Sequence, residues 1–250
     1  MQDLSTVILP ILLLAALSGL TTLIGTALAI SLGRHTNGIA FGIGFSAVIM
    51  LLISFTELIP EAVGETGMIA TALFTILGAM LIALLHWIIP HTHLIKENGA
   101  FSFPVIRSAY LVMFGLILHD FPEGFAMANS YITSPRLGLF VAVVIAIHNI
   151  PEEFAIAAPI ASIKRPRVLF AAAFISALAE PIGATVGLFA VHLHPAFNSV
   201  FLAFAAGAMI FVAVHELLPM MKIYRAKAAF ISGGVFSVVL YFIIRKSLTV

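Results

Sequence analysis

HDFPEGFAMA, His119–Ala128, sets a histidine and two carboxylates, Asp120 and Glu123, around a proline inside an otherwise apolar run. A second copy, HNIPEEFAIA, follows at His148–Ala157, with the same residue at six of its ten positions. In each copy the histidine and the glutamate are four residues apart. On a helix both side chains then leave one face, one turn from each other. That geometry lets an imidazole and a carboxylate grip one cation. Asp120 and Asn149 sit one residue round from the histidines and extend the site sideways. Each proline removes a backbone N–H and frees the carbonyl four residues earlier, at Leu118 and Ile147. Pro181, directly after Glu180, frees Ala177 in the same way. Broken helices that face a cavity are where membrane proteins place ion sites.

The surrounding chain says what kind of interior this is. Of 250 residues, 62% are hydrophobic and 9% charged, against roughly 25% charged in ordinary soluble domains. The shortage of charge extends from end to end, so the chain reads as an all-α integral membrane protein with little soluble mass. The formal net charge is +1, and no basic cluster forms a nucleic-acid footprint. There is no cysteine, which excludes disulfides and thiolate metal sites. A metal must then be held by nitrogen and oxygen, a donor set that suits zinc, ferrous iron, manganese or cobalt. The opening MQDLSTVILPILLLAALSG lacks a basic n-region, and its apolar run exceeds a signal core of roughly 7–15 residues. It is read as a first spanning helix kept in the mature protein.

A spanning helix takes roughly 20 apolar residues, and eight such stretches are predicted near 5–32, 38–63, 68–90, 105–129, 137–160, 167–191, 197–221 and 227–245. The links between them are short. With no linker long enough to divide domains, residues 1–250 are expected to form one transmembrane domain. Nine of the twelve Lys and Arg fall in the links after the first, third, fifth and seventh stretches. That side is expected to be cytoplasmic and both termini outside.

The acids are distributed in the opposite way. Eight of the eleven lie inside predicted helices: Glu57, Glu61, Asp120, Glu123, Glu152, Glu153, Glu180 and Glu216. A charge at mid-bilayer costs on the order of 3 kcal/mol even on lenient scales, so the expectation is a polar pathway through the bundle. At ~1.5 Å per residue, His119, His148 and Glu180 fall near the midplane of a hydrocarbon core about 30 Å thick. Four carboxylates there, Asp120, Glu123, Glu152 and Glu180, are balanced by two divalent cations, or by one cation and protons. Glu153 adds an acid four residues after Asn149, on a neighbouring face. Two further segments echo each other, TELIP at Thr56–Pro60 and HELLP at His215–Pro219. Glu57 and Glu61 are read near the outer surface, His215 and Glu216 near the inner one, as entrance and exit groups or as interfacial acids paired with basic residues.

Taken with LLISFTELIPEA, PHTH at Pro90–His93 and ALAEP at Ala177–Pro181, these motifs resemble the ZIP family of divalent metal transporters over essentially the whole chain. The resemblance implies eight helices in a 3+2+3 arrangement with inverted repeats and external termini. It implies a metal centre between the fourth and fifth helices, with ligands at His119, Asp120, Glu123, His148, Asn149, Glu152 and Glu180. Where the family usually has a glycine, this chain has Glu153. The family's long His-rich third link is here reduced to His91 and His93.

The function expected is uptake of divalent cations into the cytoplasm by alternating access, with zinc first and iron, manganese, cobalt and cadmium as further cargo. The metal is substrate, and no cofactor is expected. The location implied is the bacterial inner membrane, with the bilayer as partner and a homodimer as one assembly. The alternative is an intramembrane metal-dependent hydrolase, since His and acid ligands with a metal-bound water suffice for that chemistry. Duplicated motifs flanked by acids toward both surfaces suit a through-path better than a one-sided enzyme site.

Overall fold

The computed structural model describes residues 4–33, 35–88, 120–161 and 166–248. Every element among them is helical. In chain order these are α1 (Leu4–Leu32), α2 (Thr36–Thr66), α3 (Met68–Ile88), α4 (residues 120–133), α5 (Pro135–Ala161), α6 (Pro166–Leu193), α7 (Pro195–Tyr224) and α8 (Lys227–Leu248). Seven of them, all but α4, are long and apolar enough among the described residues to cross a membrane. Residues 105–119 of the fourth predicted stretch lie outside the described residues, and α4 continues four residues past the predicted end at 129.

Large apolar side chains line both the core and the outer faces of the helices, while polar ones are turned inward, as expected where the solvent is lipid. In α1, Leu9, Leu13, Leu17, Leu20, Ile24 and Leu28 are exposed, while Ser18, Thr22 and Thr26 form a buried stripe at a spacing of four. A chain folding in water would reverse those two faces.

Reciprocal glycine contacts mark three close helix crossings, one of them between α4 and α6, where Gly124 meets the Glu180 carbonyl and Gly183 the Phe121 carbonyl. A Cβ on Gly44 of α2 would run into the Phe230 carbonyl of α8, and one on Gly233 of α8 into the Phe41 carbonyl of α2. The same reciprocal contact joins α3 and α7, where Gly78 meets the Phe204 carbonyl and Gly207 meets the Thr75 carbonyl. Small residues at such points let backbones approach where no hydrophobic effect drives them together. α1 packs instead on α5 and α6. α2 also packs on α5, where Gly42 meets the Pro151 carbonyl, so the α2–α8 pair is tied to the site-bearing helices.

Proline acts on these helices in two ways. Helical hydrogen bonding runs on through Pro151, which does not interrupt its helix, while the turn before Pro122 lies outside the described residues. At Pro181 the α6 helix does break, at Leu178, whose N–H reaches back only to the Ile175 carbonyl at 3.2 Å. The freed Ala177 carbonyl abuts Gly19 of α1. In α2 and α7 the turn before the proline widens to a π-helix, Ser54–Leu58 and Val212–Leu217. There Ile59 N–H donates to the Ser54 carbonyl and Leu218 N–H to the Ala213 carbonyl, five residues back. π-turns are rare and are often found at functional sites. Each extra residue rotates the following side chains by ~100°, and Glu57 and Glu216 both stand within these turns.

Candidate metal centre

Three buried donors converge between α4 and α5. His148 Nε2 is 3.1 Å from Glu123 Oε1 and 3.6 Å from Glu152 Oε2. One ligand atom from each of the three lies within 4.8 Å of the other two. Glu123 and His148 are fully buried, and Glu152 nearly so. Zinc bonds of ~2.0–2.1 Å at tetrahedral angles put neighbouring ligand atoms about 3.3 Å apart. The two distances from His148 lie on either side of that value.

The imidazole is oriented from behind. Its Nδ1 faces the Val144 carbonyl at 3.2 Å, one turn back on α5. A carbonyl only accepts, so with a cation at Nε2 the ring proton would sit on Nδ1 and the Nε2 lone pair would be the ligand. Such a backing hydrogen bond fixes both tautomer and ring angle at metal sites. Two carboxylates facing one nitrogen call for a positive charge between them. The i, i+4 spacing of His148 and Glu152 supplies half of this arrangement, and the helix-to-helix approach brings Glu123.

The other expected ligands lie around this cluster, held by side chains from α1 and α6. Asp120 Oδ2 accepts from Ser176 Oγ at 2.6 Å. Asn149 Nδ2 donates to Glu180 Oε1 at 2.6 Å, and it also meets the Ser18 carbonyl at 3.3 Å and Ser18 Oγ at 3.4 Å. Asp120, Asn149 and Glu180 are all buried. His119 lies outside the described residues. Ser46 of α2 donates to the His148 carbonyl at 3.2 Å, tying the α5 backbone at the cluster to α2.

Glu153 is buried but turns away from the cluster, and its Oε1 accepts from Thr26 Oγ1 of α1 at 2.8 Å. Glu57 is buried against α8, where its Oε1 accepts from the Tyr241 hydroxyl and stands 3.0 Å from Arg245 Nε. Glu61, half-buried in the next turn of α2, joins none of these groupings. At Glu216 of α7, Oε1 is 3.1 Å from His86 Nδ1 on α3. His215 is exposed, with its ring edge-on to His86 at 5.1 Å and stacked on Phe211 at 4.8 Å.

Five partners escape a reading by motif: Ser18, Thr26, His86, Ser176 and Tyr241. The buried stripe of α1 was visible as hydroxyls at a spacing of four. Hydroxyls in apolar helices, however, usually satisfy themselves on the preceding turn, as Thr22 does on the Gly19 carbonyl at 2.7 Å. His86 stands alone in LLHWII, with no companion on its own helix to mark it.

The comparisons with known proteins agree on one group. The profile of the family described as "ZIP Zinc transporter" matches residues 95–241. A protein named zinc transporter ZupT from Corynebacterium aurimucosum is 37% identical, covering 82% of this chain and 84% of that protein. The protein of the same name from Chlorobium limicola is 35% identical, with 89% and 91% covered. A third, from Chlorobium phaeovibrioides, is 37% identical, with 90% and 92% covered.

Proposed function

The chain belongs to the ZIP family of zinc transporters, and from that premise we propose that it moves Zn²⁺ into the cytoplasm through a site between α4 and α5. It is a multi-pass membrane protein, in bacteria one of the inner membrane, and its family is one of transporters, not of enzymes. The observation that carries the proposal is the buried meeting of Glu123, His148 and Glu152. In lipid, a dehydrated divalent cation needs donors that replace its water, and this cluster offers nitrogen and oxygen donors at zinc-like spacing.

His119, Asp120, Asn149 and Glu180 complete the proposed ligand set. Iron, manganese, cobalt and cadmium share that donor chemistry and are the further cargo proposed. The cycle is alternating access. α4 and α5 rock with their neighbours, and the midplane site faces each side of the membrane in turn. In this reading the 250 residues form one domain of eight spans, arranged 3+2+3 with both termini outside. The likeness of the α2–α8 and α3–α7 crossings, each with reciprocal glycine contacts, supports an internal two-fold relation. Glu216, His215 and His86 stand where the ion leaves toward the cytoplasm. A hydrolase has no such support, since the matching family and relatives are named as transporters.

Purified protein in liposomes tests this directly. Wild type is expected to accumulate zinc, and the combined change His148→Ala, Glu152→Ala to abolish uptake. Uptake unaffected by that pair of substitutions overturns the proposal.

A further inference from the structure

Glu57 has the position of an entrance carboxylate but the surroundings of a fastener. Its Oε1 is held by the Tyr241 hydroxyl and by Arg245 Nε at 3.0 Å. Thr56 Oγ1 contacts the same hydroxyl and donates to the Leu52 carbonyl at 2.7 Å, a turn back on α2. The carboxylate is therefore already compensated by a guanidinium, and a passing cation would have to displace it. The ring of Tyr241 does something separate. It is fully buried and meets the ring of Phe140 nearly at right angles, centroids 5.3 Å apart. Phe140 belongs to α5, eight residues before His148, which is ~12 Å further along the helix. Tyr241 thus has its polar tip on α2 and its aromatic edge on the helix that bears the metal cluster.

We infer that Glu57, Arg245 and Tyr241 form a latch on the predicted outer side, which holds α5 where the metal cluster is shut off from that side. They are positioning residues of the transport cycle and not a stop for the cation. The inference rests on the transport reading, because a latch has work to do only if α5 moves. Its logic is geometric. Turning α5 to open the cluster outward slides Phe140 off the Tyr241 ring. Glu57 and Arg245 fix that ring in place, so its contact resists the slide. The π-turn at Ser54–Leu58 matters here because it rotates Glu57 onto α8.

The absence of native cysteine gives a clean test. Val141, fully buried and seven residues before His148 on the same face, is replaced by cysteine as a reporter of outward opening. A membrane-impermeant maleimide is then applied from the side where α8 ends. Glu57→Gln and Tyr241→Phe are each expected to raise the labelling rate about fivefold, the population shift that follows from one lost buried hydrogen bond. The double variant should add less than twofold to the larger single effect. Unchanged labelling in variants that insert and elute as wild type overturns the latch. Thr56→Val serves as a milder variant should either of these fail to insert.

A second arm joins Phe140→Cys to Tyr241→Cys with a short thiol-reversible cross-linker. Uptake is expected to stop and to return on reduction. Cross-linked protein that transports at the uncross-linked rate also overturns the latch. Labelling of the reporter requires no cargo to move. A chain that carries no zinc would therefore refute the transport reading while leaving the latch measurement intact.

Discussion

At the scale of single residues, the division between Glu152 and Glu153 is the sharpest feature of the site. They are neighbours in sequence, yet one meets His148 and the other meets Thr26 of α1. Glu153→Gly is accordingly expected to leave zinc affinity, measured by equilibrium dialysis, within about threefold of wild type. It should lower thermal stability in detergent, because a hydrogen bond to a charged group is worth about 1.5–3 kcal/mol. A large loss of zinc affinity would show that Glu153 reaches the ion after all. Asp120 makes a contrasting prediction. Its carboxylate is held by Ser176 at 2.6 Å beside the three-donor cluster and not within it. Asp120→Asn is expected to keep one zinc bound per chain, counted by metal analysis, while slowing uptake about tenfold, the effect of a 1.4 kcal/mol rise in barrier. Of this chemistry the sequence displayed the donors but not their partners. His148 and Glu152 share a face by arithmetic, whereas Ser18, Ser176 and Thr26 are recruited from helices remote in sequence, which no local spacing reveals.

Among the elements, helix positions were legible because burying an unpaired backbone in lipid is so costly that apolar length alone marks a span. The predicted stretch 38–63 became Thr36–Thr66, and 197–221 became Pro195–Tyr224. What apolar length does not reveal is how a helix accommodates its proline. Pro151 is carried within a continuous helix, Pro181 sits after a break, and Pro60 and Pro219 follow π-turns. The choice is made by neighbours, such as Gly19, which leaves room for the Ala177 carbonyl. Helix crossings give a test at this scale. Gly207→Ala puts a methyl group against the Thr75 backbone of α3, where no flexible side chain can yield. It is expected to destabilise the protein by about 1–3 kcal/mol, read as a lower melting temperature in detergent. Gly64→Ala, with nothing within 4 Å, should leave the melting temperature unchanged or raise it slightly.

The molecule as a whole is organised by which helices are fastened to which. α1, α5 and α6 enclose the site with α4; α2 with α8, α3 with α7 and α4 with α6 are joined by reciprocal glycine crossings, and α2 also packs on α5 at Gly42. Sidedness belongs to this scale as well, since it follows from the distribution of Lys and Arg over all the links. Ser247, exposed at the end of α8, and Ser31, exposed at the end of α1, give it a measurement. A cysteine at Ser247 is expected to react with an impermeant thiol reagent in intact cells, and one at Ser31 only after permeabilisation. The reverse pattern would invert the molecule in the membrane and make the proposed direction of uptake untenable.

The paired π-turns also bear on the history of the chain. A π-turn is what remains when one residue is inserted into a helix that keeps its ends fixed. The two turns precede their prolines in segments that echo each other, Thr56–Pro60 and His215–Pro219. Two independent insertions at matching places are a less economical account than one insertion followed by copying. If the two halves arose by an internal doubling, as the proposed two-fold relation implies, the wide turn is older than that doubling. The two segments differ in what they hold, a guanidinium and a phenol at Glu57 and an imidazole at Glu216.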